Sequence, residues 1–278
     1  GALGEGGQRS VPLSVAFDVR AVAGGHAGIC AIVDSNEQVA CLDPTSGTLK
    51  PIAGFEHVLE VKVNHRQIVA RSRDRRVMVR GLEPSKIDSF PVSVELVDDA
   101  LLGSCALRSN PGEVLCWKNS GTSGPPTSAP HPIGVNDAVE LVDSGTLMFC
   151  ARRSNGKVVC WGSSLVRAPD DDPFFRKLES SDVPIEIPEI SDAISMATSG
   201  AGALCVVRAS GATRCFGGGT PGYEHFHFPG FKADSAQSAL HELKKVALGE
   251  AFGCALQNNG LVSCWGRNLA GELGDGSL

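Results

Sequence analysis

The sequence predicts one all-β domain over residues 1–278, a β-propeller of six blades with seven as the alternative count. Three observations carry that prediction. The ten cysteines fall at 30 and 41, 105 and 116, 150 and 160, 205 and 215, and 254 and 264, so every one belongs to a pair ten or eleven apart. The text around each pair recurs as a small or apolar start, a polar turn and an apolar return, an internal repeat at a period suited to propeller blades. With 33 Gly and 16 Pro against 5% aromatic residues, the composition favours short elements and tight turns over long helices.

Taken in order, the first copy is CAIVDSNEQVACLD, from Cys30. The second, VARSRDRRVMVRG over 69–81, puts Val69 and Val79 where the other copies have cysteines, an apolar pair in place of a bridge. The remaining copies are CALRSNPGEVLCWK, CARRSNGKVVCWG, CVVRASGATRCFG and CALQNNGLVSCWG, which begin at Cys105, Cys150, Cys205 and Cys254. Successive copies start 39, 36, 45, 55 and 49 residues apart, so the later steps carry insertions. The repeats are thus centred on hairpins 30–41, 69–79, 105–116, 150–160, 205–215 and 254–264. In the last of these, Asn258, Asn259 and Gly260 make a three-residue loop in which Gly supplies the positive φ. Centring the hairpin there sets Cys254 opposite Cys264 and Leu256 opposite Val262, while Ala255, Ser263 and Trp265 take the other face. Both faces are largely apolar and need cover, which blades stacked around a ring provide. One segment reads differently: Ser235 to Lys245, with Asp234 as cap, is the single helix candidate.

Directly opposed Cα atoms lie about 4.5–5.5 Å apart, within the range a disulfide spans. Three chemistries fit the cysteines: disulfides, buried free thiols, or metal ligation by thiolate pairs. Exclusive pairing favours bridges, and the missing C-x-x-C spacing counts against metal. The expected bridges are Cys30 to Cys41, Cys105 to Cys116, Cys150 to Cys160, Cys205 to Cys215 and Cys254 to Cys264.

The stretch GEAFGCALQNNGLVSCWGRNLAGELGDGS at 249–277 resembles the repeat of the regulator of chromosome condensation family, and GALGEGGQRSVP at 1–12 is similar to the tail of the same unit. Trp117, Trp161 and Trp265 match the family's aromatic position, which is Phe216, Leu42 and Arg80 in the other copies. The resemblance implies a β-propeller, usually of seven blades. It also implies that residues 1–15 supply the tail cut short after Leu278, so the N-terminal and C-terminal segments share a blade and close the ring. Proteins that look like this include nucleotide-exchange factors for small GTPases, an extracellular receptor ectodomain with cysteine-paired blades, and a secreted bacterial inhibitor of β-lactamase. Fold does not select among them. Paired cysteines disfavour an exchange factor of the reducing cytosol and point to an extracellular, cell-surface or periplasmic protein. The lack of an N-x-S/T sequon agrees with bacterial export.

Charge and hydropathy narrow the partners. A net charge of −6 and a pI near 5.7 give no basic field for nucleic acid. No apolar run approaches the ~18 residues that cross a bilayer, and the start at Gly1 without a signal sequence reads as a mature or trimmed chain. Two long connections, 162–184 and 217–240, are the first candidates for a partner surface, because a propeller displays its loops on rims held rigid by the blades. They carry Phe174 and Phe175, and Tyr223, Phe226, His227, Phe228 and Phe231, aromatic anchors of the kind interfaces use. Rings folded back over a blade end are the bland alternative. His225 and His227 beside Glu224 are too few ligands for a metal site. The second candidate is Arg71, Arg73, Arg75 and Arg76, with Arg66 and Arg80 near them, a local positive field that suits an anionic partner or glycan, or simply a solvated hairpin face.

No G-x-S-x-G, H-E-x-x-H, P-loop or carboxylate pair marks a catalytic centre, and no cofactor is implied. The expected function is that of a non-catalytic, protein-binding propeller acting through rim loops. A glycan-binding or enzymatic propeller is the alternative, and a GTPase exchange factor the third.

Overall fold

In the computed structural model of this protein, each predicted hairpin is the middle of its own antiparallel sheet. The structure describes residues 18–25, 28–33, 36–43, 46, 48–63, 67–81, 88–91, 96–100, 103–108, 111–118, 129–143, 148–162, 181–188, 190–199, 203–216, 242–249, 252–266, 268, 273, 274 and 276. The first sheet comprises β1 (Val19–Gly25), β2 (Gly28–Val33), β3 (Gln38–Leu42) and β4 (Leu49–Pro51). The second holds β5 (Val58–Val63), β6 (Gln67–Ser72), β7 (Arg76–Gly81) and β8 (Asp88–Pro91). The third holds β9 (Leu96–Ala100), β10 (Gly103–Arg108), β11 (Glu113–Lys118) and β12 (His131–Pro132). The fourth holds β13 (Ala138–Asp143), β14 (Met148–Arg153), β15 (Val158–Gly162) and β16 (Ser181–Glu186). Three strands each, among the described residues, make the fifth, β17 (Ala193–Thr198), β18 (Leu204–Arg208) and β19 (Thr213–Phe216), and the sixth, β20 (Leu243–Leu248), β21 (Phe252–Gln257) and β22 (Val262–Gly266).

The register is the one the cysteine spacing demands. Each pair sits directly across the central hairpin, and Val69 faces Val79 in the copy without a bridge. All five pairs are disulfide-bonded, with Cα atoms 3.9–4.1 Å apart. Leu256 faces Val262, as expected. The helix candidate does not hold at its end: Glu242 has φ 56° and Leu243 to Lys245 are the start of β20, while 235–241 lie outside the described residues. Leu243 and Val246 are both buried against the fifth sheet, and that tertiary packing overrides the local helical propensity of a Lys- and Glu-rich stretch.

Side chains that alternate along the hairpins explain why the sheets stack in chain order. In the first sheet Cys30, Ile32 and Val39 face forward and pack on Val61, Ile68, Ala70 and Met78 of the second. The same interlock joins second to third through Val77 and Trp117, third to fourth through Leu107 and Trp161, fourth to fifth through Val158 and Met196, and fifth to sixth through Val207 and Val246. The core is therefore a series of layers between sheets. The expected sharing of one blade by residues 1–15 and the C-terminal segment falls on residues outside those described.

Candidate interaction surface

Two local devices recur from sheet to sheet and together shape one rim. The first is a bulge near the start of the first strand. The ladder slips between Val19 and Ala21, Val58 and Glu60, Ala138 and Glu140, Ala193 and Ser195, and Leu243 and Lys245. The skipped residues are Arg20, Leu59, Val139, Ile194 and Lys244. A bulge re-aims the side chain of its extra residue, and here Leu59, Val139 and Ile194 are exposed although they sit in strands whose neighbours are core.

The second device is the turn of the central hairpin. Four residues before the second cysteine, or before Val79, every copy adopts a left-handed conformation: Glu37 (φ 54°), Arg75 (64°), Gly112 (91°), Gly156 (79°), Gly211 (78°) and Gly260 (88°). Where the following strand's first residue is described and its bond resolved, it donates its N–H to the carbonyl of this position. Val58 bonds to Glu37 at 2.9 Å, Ala138 to Gly112 at 2.9 Å, Ala193 to Gly156 at 2.9 Å and Leu243 to Gly211 at 3.4 Å. Each turn thus docks the start of the next sheet, which puts the turns and the bulged residues on the same rim.

Charge pairs surround the bulges. Arg153 Nε donates to Asp137 Oδ1 and Arg208 Nε to Asp192 Oδ1, each at 2.6 Å and each with partners sixteen residues apart. Arg152 Nε reaches Glu140 Oε2 at 2.7 Å, and Arg71 Nε reaches Glu60 Oε2 at 3.2 Å across the bulge. Glu37 is a special case, a buried carboxylate where four other copies have Gly. It accepts from Arg73 through both oxygens, with Nε at 3.2 Å, and from Arg20 Nη1 at 2.8 Å, tying the first sheet's turn to the second's. The Arg73 hydrogen bonds, opposed by burial and helped by the charges of Arg73 and Arg20, hold its carboxyl below the usual carboxylate range.

Of the residues singled out from sequence, Arg71, Arg73, Arg75 and Arg76 lie on this rim, at and beside the turn of the second sheet. Arg71 and Arg73 spend their guanidiniums on Glu60 and Glu37, so the local positive field is weaker than their number suggests. Phe174, Phe175, Tyr223, Phe226, His227, Phe228 and Phe231 lie outside the described residues. The strand ends still give the rim they depart from. Gly162, the end of β15, pairs with Met148 at the start of β14, and Phe216, the end of β19, pairs with Leu204 at the start of β18. Gly162 and Phe216 therefore stand at the end opposite the turns. Sequence reasoning missed the bulged row and the Asp–Arg pairs; the sixteen-residue spacing of 137 with 153 and of 192 with 208 was the available signal. Among the described residues no cluster of three or more His, Cys, Asp or Glu could hold a metal ion.

Comparison with known proteins agrees with this architecture. No curated protein sequence matches the chain. Residues 243–272 match the regulator of chromosome condensation (RCC1) repeat. Among solved structures, human WBSCR16 superimposes with a TM-score of 0.71 at 16% identity, over 96% of this chain and 80% of that one. Yeast RCC1 (Prp20), solved bound to Kap60, gives 0.67 at 13% identity over 94% and 72% of the two chains. The ectodomain of the Arabidopsis thaliana receptor kinase ACR4 gives 0.58 at 16% identity over 90% and 80%. Residues 243–272 thus carry one RCC1 repeat, and the fold of RCC1-like propellers is shared along nearly the whole chain.

Proposed function

We propose that this chain is a non-catalytic, protein-binding propeller of an exported or cell-surface protein. The observation that carries the binding reading is the set of Leu59, Val139 and Ile194, exposed by bulges in the first strands of the second, fourth and fifth sheets and bordered by the Arg–carboxylate pairs Arg71–Glu60, Arg152–Glu140, Arg153–Asp137 and Arg208–Asp192. An apolar centre within a polar border on a rigid rim is the composition of a protein interface. Export is supported by the five disulfides, which persist in oxidising compartments, and by the likeness to receptor-kinase ectodomains.

The test is capture of extracellular-fraction proteins by immobilised wild type, by Leu59→Asp/Val139→Asp/Ile194→Asp, and by Phe226→Ala/Phe228→Ala. A partner retained by wild type and by the Phe variant but lost by the triple variant supports binding at the turn rim. Loss with the Phe variant alone moves the site to the 217–240 connection, and equal capture by all three refutes both.

A further inference from the structure

Proline falls in four of the twenty-two described strands, at Pro51 of β4, Pro91 of β8, Pro132 of β12 and Pro184 of β16. These are the last strands of the four-stranded sheets, and among the described residues nothing pairs on their far side. The first strands of successive sheets lie beside one another, β1 with β5, β5 with β9, β9 with β13, β13 with β17 and β17 with β20. The last strands therefore stand at the outside of the stack, each with one row of backbone groups turned away from its own sheet.

The register says which way each proline nitrogen points. In an antiparallel ladder alternate residues direct their backbone groups to the partner strand and to the open side. Ile52 donates its N–H to the Val39 carbonyl at 2.8 Å, so Pro51, one residue before it and opposite Ala40, has its nitrogen on the open side. Ile133 donates to Val114 at 3.3 Å, which puts the nitrogen of Pro132, opposite Leu115, there too. In β8, Phe90 pairs with Val77, the counterpart of Val39 and Val114, and Pro91 follows it on the alternate side. In β16, Ile187 donates to Val158 at 2.9 Å, and Pro184 lies where the ladder slips between the Cys160–Ile185 and Gly162–Ser181 pairs. Three of the prolines thus take no ladder bond from their own sheet and remove a donor from its open edge, and the fourth sits in a slip that itself breaks the edge.

We propose that these prolines close the outer wall of the stack, keeping copies of this chain from pairing edge to edge through β4, β8, β12 and β16. A strand added to an edge is held by that edge's outward N–H and C=O groups. Within β12 the single outward position is Pro132, and two residues before it Pro130 brings no N–H either. β4 spans only Leu49–Pro51 and loses one of its two outward donors. Pro51 and Pro132 are both exposed, so their rings stand where an incoming strand would approach. The device is separate from the proposed partner site, because Leu59, Val139 and Ile194 lie in first strands, at the other side of their sheets.

The test compares three full chains: wild type, Pro51→Thr/Pro132→Thr and Pro51→Lys/Pro132→Lys. Both double variants restore the two N–H groups and share the effect that losing two proline rings has on the unfolded chain. Lys, however, leaves a charge on each edge, which itself opposes pairing. Light scattering after size exclusion, at concentrations up to about 200 μM, should show the Thr variant rising to at least twice the wild-type mass while the Lys variant matches wild type. Hydrogen exchange should show new protection at 49–51 and 131–132 in the associated Thr variant. A Thr variant that keeps the wild-type mass overturns the inference. So does equal association of the Thr and Lys variants, since that result means partial unfolding and not paired edges.

Discussion

Replacing Gly156 by Ala tests whether the hairpin turns dock the sheets. Gly156 has φ 79°, and an added Cβ would lie 2.7 Å from the Ser191 carbonyl oxygen and 3.0 Å from the Asp192 Cα. Both are backbone atoms at the start of the fifth sheet, so no flexible side chain can swing aside. The left-handed backbone by itself costs an L-residue roughly 1–2 kcal/mol. Glu37 and Arg75 already carry side chains at the same turn position, so that term alone is tolerable. Forcing a methyl group into a closed contact adds about 1–3 kcal/mol. Gly260→Ala is the matched control, because its φ is 88° but nothing lies within 4 Å of the new Cβ. The junction term is what separates the two variants, about 2 kcal/mol, or roughly 4–8 °C in Tm for a domain of this class. Thermal unfolding followed by circular dichroism, disulfides intact and protein near 1 μM, reads that difference. Equal shifts for Gly156→Ala and Gly260→Ala would show that the turn does not seat the next sheet.

Two further outcomes follow from the bridges and the buried carboxylate. Intact mass under non-reducing conditions should be about 10 Da below that of the reduced chain, two hydrogens per bridge, and each bridge closing a loop of about 11 residues adds at most roughly 2.5–3 kcal/mol; an unchanged mass would refute the pairing. Because the Glu37 carboxyl is held below its ordinary value of 4.5, the stability it contributes is complete above that pH and disappears as pH falls through the lowered folded value. Urea midpoints of wild type and Glu37→Gln should therefore differ at pH 7 and converge in the acid range below 4.5, and a gap that stays constant with pH would sink the Arg73–Glu37–Arg20 account.

The hairpins were legible in the chain because two-residue periodicity and a fixed cysteine spacing are local properties. Once Cys254 is set against Cys264, Leu256 must face Val262, and the alternate residues must take the other side. The same locality explains the one secondary-structure error: Leu243 to Lys245 has helix-forming composition, and only burial of Leu243 and Val246 against the fifth sheet makes it a strand. The candidate surface was not legible in that way. Leu59, Val139 and Ile194 read as ordinary strand apolars, and their exposure depends on a ladder slip that involves the partner strand.

What the sequence by itself determined is the unit: six hairpins, which residues of each face forward or backward, and which sulfurs can meet. What only the tertiary structure decided is how units relate. It shows that the turns at Gly112, Gly156 and Gly211 close against the next sheet, that Glu37 joins Arg20 to Arg73, and that Leu59, Val139 and Ile194 are turned outward. The physical reason is range. Register along a strand is fixed by neighbours two residues away, whereas a face is covered or bare according to a sheet some forty residues distant in the chain, and equivalent residues in a repeat carry no local mark of what packs on them.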